Sequence, residues 1–395
     1  LKLRKDEFHK GKPVRAADVI ASLNYHRGDA SKSAAKPIMT NVKDITADGD
    51  STVIVELNSG NADFPYILTD YHLAICMAGA DGKIDWNDDG GRAGPYQLKE
   101  YNPGVRALFV KATNHWNPEI GHLDSAEALT IADVTARQNA LLTGEVDLID
   151  RPDVHTLDML KRAPNLTVEE NSGCRFQGFT MFCDTKPFDN NDVRLAFKYA
   201  IDREAMVKTA LLGHGTVAND QPITPAYRYY DADLKPFEHD LDKAKFHLKK
   251  AGYSTLDVDL SAAGAAFASA VDCSVLYKSE IEPAGVNINV VKEPDDGYWD
   301  NVWLKKPFIA TDWGGQPTED QMFSIEFKAG APWNDTHFNN ERFEKLLLEA
   351  RAEFNEPKRK EMYGEMQKIL RDEGGAIIPM VPNNIWAFSN KVKHD

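Results

Sequence analysis

Apolar positions in this chain recur at two spacings, every second residue and every third or fourth, and the switches between them mark its elements. The clearest switch lies in mid-chain. Arg175 to Cys183 reads as a strand whose later residues Phe179, Met181 and Cys183 share one face. A polar turn follows, and then Val193, Ala196, Phe197 and Ala200 recur at helical spacing, with Asp189 or Asn190 placed to cap the first turn. A strand feeding an amphipathic helix is scaffold, not an active site.

The flanking segments follow the same logic. Ala16 to Tyr25 is a short helix, and Asp48-Gly49-Asp50 turns into a half-buried strand over Thr52 to Leu57. Gly94-Pro95-Tyr96 and Val105 to Lys111 form another turn and strand pair. Asp133 to Leu142 is a helix stopped by Gly144, and Glu145 to Ile149 a strand. Further on, Asp240 caps a helix with Leu241, Ala244 and Leu248 on its buried side. Strands follow at Leu256 to Leu260 and Val286 to Val290, then a helix with Tyr298, Trp299, Val302 and Trp303, then an apolar strand from Pro307 to Thr311. Strand, helix, strand at these lengths predicts a mostly parallel α/β unit. Phe343, Leu346, Leu347, Ala350 and Phe354 line one late helix. Met362, Met366, Ile369 and Leu370 line the next, capped by Asn355 with Pro357 in its first turn. Ala376 to Val381 is expected as the last strand.

Composition narrows the function. At 395 residues the chain is long enough for two or three structural units. Its 46 Lys and Arg face 61 Asp and Glu, a net charge of -15 with no dense basic cluster, which argues against nucleic acid as a partner. No apolar run approaches the roughly 20 residues of a membrane span. The chain begins at Leu1, without Met or signal peptide, and is expected to be processed, trimmed or cut from a longer one. Cys76, Cys174, Cys183 and Cys273 have no metal-ligand spacing and read as free thiols; the compartment stays open on cysteine count.

Two motif-like segments carry little. Asp85 to Gly90 opens like a calcium loop, but Tyr96 stands where a bidentate Glu is needed. Gly213-His214-Gly215 imitates a dinucleotide loop yet follows a helix, so it reads as a helix-ending turn. The richest polar and aromatic cluster is Thr311 to Asp320, at the end of a buried strand, where open α/β sheets place their ligands. Trp313 offers a flat apolar face, glycines let backbone approach a ligand, and Asp312, Gln316 and Asp320 accept hydrogen bonds. Trp333, Asn334, Asp335 and His337, with Phe338, repeat that mixture about twenty residues on. These, with Phe179 on the mid-chain strand, are the candidate ligand-binding residues. A hydrolase would use Asp312 and Asp320 as paired carboxylates, but nothing in the sequence positions a water or nucleophile for them.

Five ordered segments then resemble a known family, the extracellular solute-binding proteins of ABC importers of family five. They are Leu3 to Val14 with Ala17-Asp18-Val19, Gly94-Pro95-Tyr96 with Asn114-His115-Trp116, Ala140 to Asp147, Pro187-Phe188-Asp189 with Val193-Arg194, and Ala200-Ile201-Asp202-Arg203. The resemblance implies a type II two-lobed periplasmic-binding-protein-like α/β fold with an additional α/β domain on the first lobe. Residues 1–125 would be the additional domain, truncated at its start, residues 126–225 with 372–395 the first lobe, and 226–371 the second. It implies a periplasmic or extracellular monomer, without cofactor, metal or enzymatic activity. Such a protein encloses a small peptide or peptide-like solute such as an opine by hinge closure and presents it to a membrane permease. Oligosaccharide and metal-chelate ligands remain alternatives within the family. Dipeptide-binding relatives pair the ligand's amino terminus with an Asp three positions after the cleft tryptophan. Counting from Trp313, this chain has Gln316 there, so an ammonium would need Asp312, Glu319, Asp320 or Asp335.

Overall fold

The structure, a computed structural model, describes residues 1–86 and 91–393. It contains two compact units, Leu1–Arg137 and Gln138–Asp395.

In the first unit the Ala16–Tyr25 helix turns its apolar residues Val19 and Leu23 inward. Asp18, also buried, accepts from the Arg15 and Ala78 amides at 2.9 and 2.8 Å and from Lys12 Nζ at 3.1 Å. Strands β1 (Val42–Ala47) and β2 (Val53–Leu57) form an antiparallel hairpin over the expected Asp48-Gly49-Asp50 turn. Strands β3 (Tyr96–Asn102), β4 (Arg106–Lys111) and β5 (Ser125–Leu129) make an antiparallel meander. Of the calcium-like segment at Asp85 to Gly90, residues 87–90 lie outside the described residues.

Among the described residues the second unit holds two sheets. Strands β6 (Leu148–Asp150) and β7 (Leu166–Asn171) flank β14 (Asn384–Ser389). The larger sheet runs β11 (Val286–Lys292), β10 (Leu256–Ala262), β12 (Phe308–Trp313), β8 (Phe176–Met181), β13 (Ala376–Pro382), β9 (Gly215–Val217). Its first three strands are parallel, as the strand-helix-strand spacing requires, and its other pairings are antiparallel. The mid-chain strand β8 is therefore central, and every one of its residues is buried. Gly178 is required there: a Cβ would lie 2.1 Å from the Ile377 carbonyl oxygen, where the β8–β13 register is interrupted.

The helix after β8, Asn191–Ala200, is capped by Asn190, which accepts from the Asp192 amide at 2.9 Å. Asp240 and Asn355 cap the Leu241–Lys250 and Glu356–Glu373 helices in the same way. Tyr277 packs on both Phe179 and Phe197, and Phe197 and Phe188 pack on Phe308, so this helix and the sheet share one core. The segment also buries three cations. Lys198 donates to the carbonyls of Leu370 and Arg371 at 3.2 and 2.7 Å, and Arg194 to that of Glu373. Arg203 pairs with fully buried Asp220, whose other oxygen accepts from the Ile378 amide in β13. The carbonyl-rich C-terminus of the Glu356–Glu373 helix is thus docked by positive charge, which its dipole favours.

Several elements differ from the sequence expectation for local reasons. Glu145 and Val146 fold back onto the Ala140 carbonyl after left-handed Gly144, so the strand there starts only at Leu148. The helix of Tyr298 stops at Asn301, with Leu304 in the left-handed region. Phe354 lies past its helix and is exposed. After β13 the chain adds β14, in which Ile385 and Ala387 are buried and Trp386 exposed. Gly213, also left-handed, ends the Arg203–Ala210 helix and feeds β9.

Arg203→Met strands the Asp220 charge inside the protein, and a loss of about 3–5 kcal/mol is expected in urea unfolding. Arg342→Ala removes only an exposed ion pair with Glu365, for which less than about 1 kcal/mol is expected. Equal losses for the two variants would contradict this account of the fold.

Candidate functional site

Successive residues of a strand point to opposite faces, and β12 ends by dividing its polar residues between them. Thr311 and Trp313 point one way. Thr311 Oγ1 donates to Asp335 Oδ2 at 3.3 Å and Trp313 Nε1 to the same oxygen at 3.0 Å; Trp303 Nε1 makes a third such bond at 3.0 Å. Trp333 completes a triad of indoles, with ring centroids 5.9 Å from Trp303 and 6.1 Å from Trp313, and 6.1 Å between Trp303 and Trp313. Asn334 holds the turn that aims Asp335 inward. Its Nδ2 donates to the Phe338 carbonyl at 2.9 Å, and its Oδ1 accepts from the Thr336 hydroxyl and the Phe338 amide.

Asp335 is fully buried, and burial pushes its carboxyl up to about 6 in spite of the three donors. Near it lies Glu326, in the single π-turn Phe323–Phe327, also fully buried; burial and then the charge of Asp335 push its carboxyl well above the usual range. Glu326 Oε1 and Oε2 and Asp335 Oδ1 have no hydrogen-bond partner.

Asp312 points to the other face. It accepts from Arg175 Nε at 2.8 Å and from Gln177 Nε2 at 2.9 Å, and Arg175 Nη2 completes a forked pair. The Arg175 side chain is 20% exposed. Beyond the strand, Gly314 and Gly315 are exposed backbone, and a Cβ on Gly315 would lie 2.3 Å from Cys174 Cβ. The Gln316 amide donates to the Tyr227 hydroxyl at 2.8 Å, and the Gln316 side chain is half-buried.

The remaining candidates stand apart from this group. Asp320 is bound to Arg351 at 3.0 Å, and Arg351 also donates to Ser324. Asp312 and Asp320 therefore each face their own arginine, and no acid-base pair forms between them. His337 stacks on Phe182 at 3.8 Å and bonds Asp184 at 2.9 Å. Phe179 is 1% exposed and stacked on Tyr277, a core residue whose ring is consumed by packing. Among the described residues no group of three or more His, Cys, Asp or Glu side chains is placed to hold a metal ion. Sequence reasoning missed Arg175, Trp303 and Glu326 as site residues. A lone carboxylate inside the apolar run Met322 to Phe327 was the available signal for Glu326; Trp299 and Trp303, four apart, were the signal for an aromatic face.

Residues 1–335 match the sequence profile of bacterial extracellular solute-binding proteins, family 5 Middle. The chain is 24% identical over 343 residues to the dipeptide-binding protein of Escherichia coli (strain K12), covering 80% of this chain and 60% of that protein. It is 29% identical over 258 residues to the glutathione-binding protein of the same organism, covering 64% of this chain and 50% of the relative. The chain thus spans between half and three fifths of the length of these two relatives. Its fold matches an ABC transporter-associated periplasmic binding protein from Helicobacter pylori in complex with the peptide STSA, with a TM-score of 0.88 and 22% identity over 99% of this chain and 82% of that one.

Asp335→Asn keeps an acceptor for the indoles and removes the titration. With a folded value of about 6 above an ordinary 3.8, the carboxyl favours folding when protonated. That contribution is complete below about pH 4 and is lost as pH rises through about 6. The variant is expected to melt about 3 °C higher near neutral pH and to flatten the stability curve between those limits. Parallel curves for wild type and variant across that window would contradict the assignment.

Proposed function

Because the chain belongs to the bacterial extracellular solute-binding proteins of family 5, we propose that it is the solute-binding component of an ABC importer, and that it captures a small peptide or peptide-like solute for a membrane permease. The observation that carries the solute class is the carboxyl end of β12. Side-chain-free Gly314, with open space where a Cβ would stand, leaves backbone open to a ligand there, and Asp312 holds the Arg175 guanidinium at a partly exposed position beside it. A planar guanidinium fixed along one edge is suited to receive a carboxylate. The half-buried Trp333 adds an apolar face. The names of the dipeptide- and glutathione-binding relatives support a peptide-like solute. In this reading the protein works outside the cytoplasm, binds without making or breaking bonds, and encloses its ligand between lobes set by residues 126–225 with 372–395 and 226–371.

Calorimetry on the full-length gene product with peptides, opines and oligosaccharides is expected to find binding among the first two classes. Arg175→Lys keeps the charge and loses the fork, and should weaken a carboxylate-bearing hit by about tenfold while leaving its amide unchanged. Response to oligosaccharides alone would refute the peptide reading.

A further inference from the structure

Four carboxylates were open on sequence grounds to meet a ligand's positive charge, and the structure separates them. Asp312 is held by Arg175 and Gln177, Asp320 by Arg351, and Glu319 accepts from the Tyr229 amide at 2.6 Å. Asp335 differs. Its donors are two indoles and a hydroxyl, all neutral and all on Oδ2, and Oδ1 is unpartnered. Glu326, fully buried like Asp335, has both oxygens unpartnered. Three unpartnered carboxylate oxygens in one interior cost stability, and a fold retains them where another interaction uses them. The indole triad stands at the same place, and π-electron faces beside carboxylates are what a desolvated cation prefers. From the triad an aromatic run leads outward: Trp303 packs edge to face on Trp299 at 5.9 Å, and Trp299 is 41% exposed.

We propose that Asp335 and Glu326, walled by Trp303, Trp313 and Trp333, form a subsite for the cationic group of the solute, a primary ammonium or a guanidinium. This rests on the solute-binding reading and names the charge that the site receives. Asp335 Oδ1 and the Glu326 carboxylate accept from the cation, and Trp333, half-buried at the rim, moves to admit it. The two faces of β12 then divide a zwitterion between them. A solute lying across Gly314 presents its carboxylate to Arg175 on one face and its cation to Asp335 on the other. Gln316 is neutral in this arrangement because its position is not the one that meets the ammonium. Seating the cation requires both carboxylates to be ionised. Burial holds Asp335 up at about 6, with Glu326 and Tyr298 as its titratable neighbours and Tyr227 as a further one of Glu326, so entry of the cation releases protons.

The probe is butylammonium, with butan-1-ol as its neutral counterpart, followed by tryptophan emission of the full chain near neutral pH. Butylammonium should shift the emission saturably and butan-1-ol should not. Asp335→Asn should weaken the response by about a hundredfold and Glu326→Gln by about tenfold. Glu326→Gln tests the subsite independently of the indole hydrogen bonds, since Glu326 takes none. Equal responses to the amine and the alcohol, or an undiminished response in Glu326→Gln, would overturn the subsite. Saturable amine binding with no binding of any peptide would instead leave the subsite standing and remove the peptide reading.

Discussion

Three buried cations between Asn190 and Arg203 constrain everything that follows in the larger unit. Lys198 has no solvent exposure, and burial lowers its ammonium to about 8, so it is tolerated because the charge of Asp220 and the Leu370 and Arg371 carbonyls of the Glu356–Glu373 helix compensate it. Arg194 takes the carbonyl of Glu373 next to them, and Arg203 is neutralised by Asp220 and so tied to β13. These contacts fix where the long helix ends. Gly374 and Gly375 then bring the chain directly into β13, which lies against β8. β8 in turn pairs with β12 residue by residue from Phe308 to Trp313. The position of Trp313 and Asp312 is therefore set, through two strands, by ammonium and guanidinium groups with no water to retreat to.

The same pairing explains how one strand serves two chemistries. Opposed residues of an antiparallel pair point to the same side, so Phe308, Ala310 and Asp312 lie over Met181, Phe179 and Gln177. That face is apolar core until its last step, where Asp312 and Arg175 meet partial solvent. On the other face Thr311 and Trp313 reach Asp335. A strand buried on both sides emerges only at its carboxyl end, and at that end it carries an arginine on one side and unpartnered carboxylate oxygens on the other.

Much of this was legible in the sequence, and the rest was hidden for definable reasons. Caps and amphipathic spacing are local, so Asn190, Asp240 and Asn355 could be assigned from short windows, and so could the helices they start. Five ordered segments carried the family, and the sequence profile agrees over residues 1–335. Partners across the sheet are not local. Asp312 and Arg175 are separated by 137 positions, and no spacing rule announces that one neutralises the other. Asp320 reads in sequence as an available acceptor, but Arg351, one helix later, occupies it. The Thr311–Asp320 and Trp333–His337 segments do converge, through Thr311, Trp313, Trp333 and Asp335. Trp303 enters the group because a one-turn helix ends early at Asn301 and redirects it.

The most direct test of the whole account is a crystal structure of the full-length protein grown with a zwitterionic peptide such as trialanine. The account predicts electron density across Gly314 and Gly315, with the peptide carboxylate within hydrogen-bond distance of the Arg175 guanidinium and its amino group beside Asp335 and Trp333. Peptide density lodged elsewhere, with Arg175 and Asp335 untouched, would contradict it.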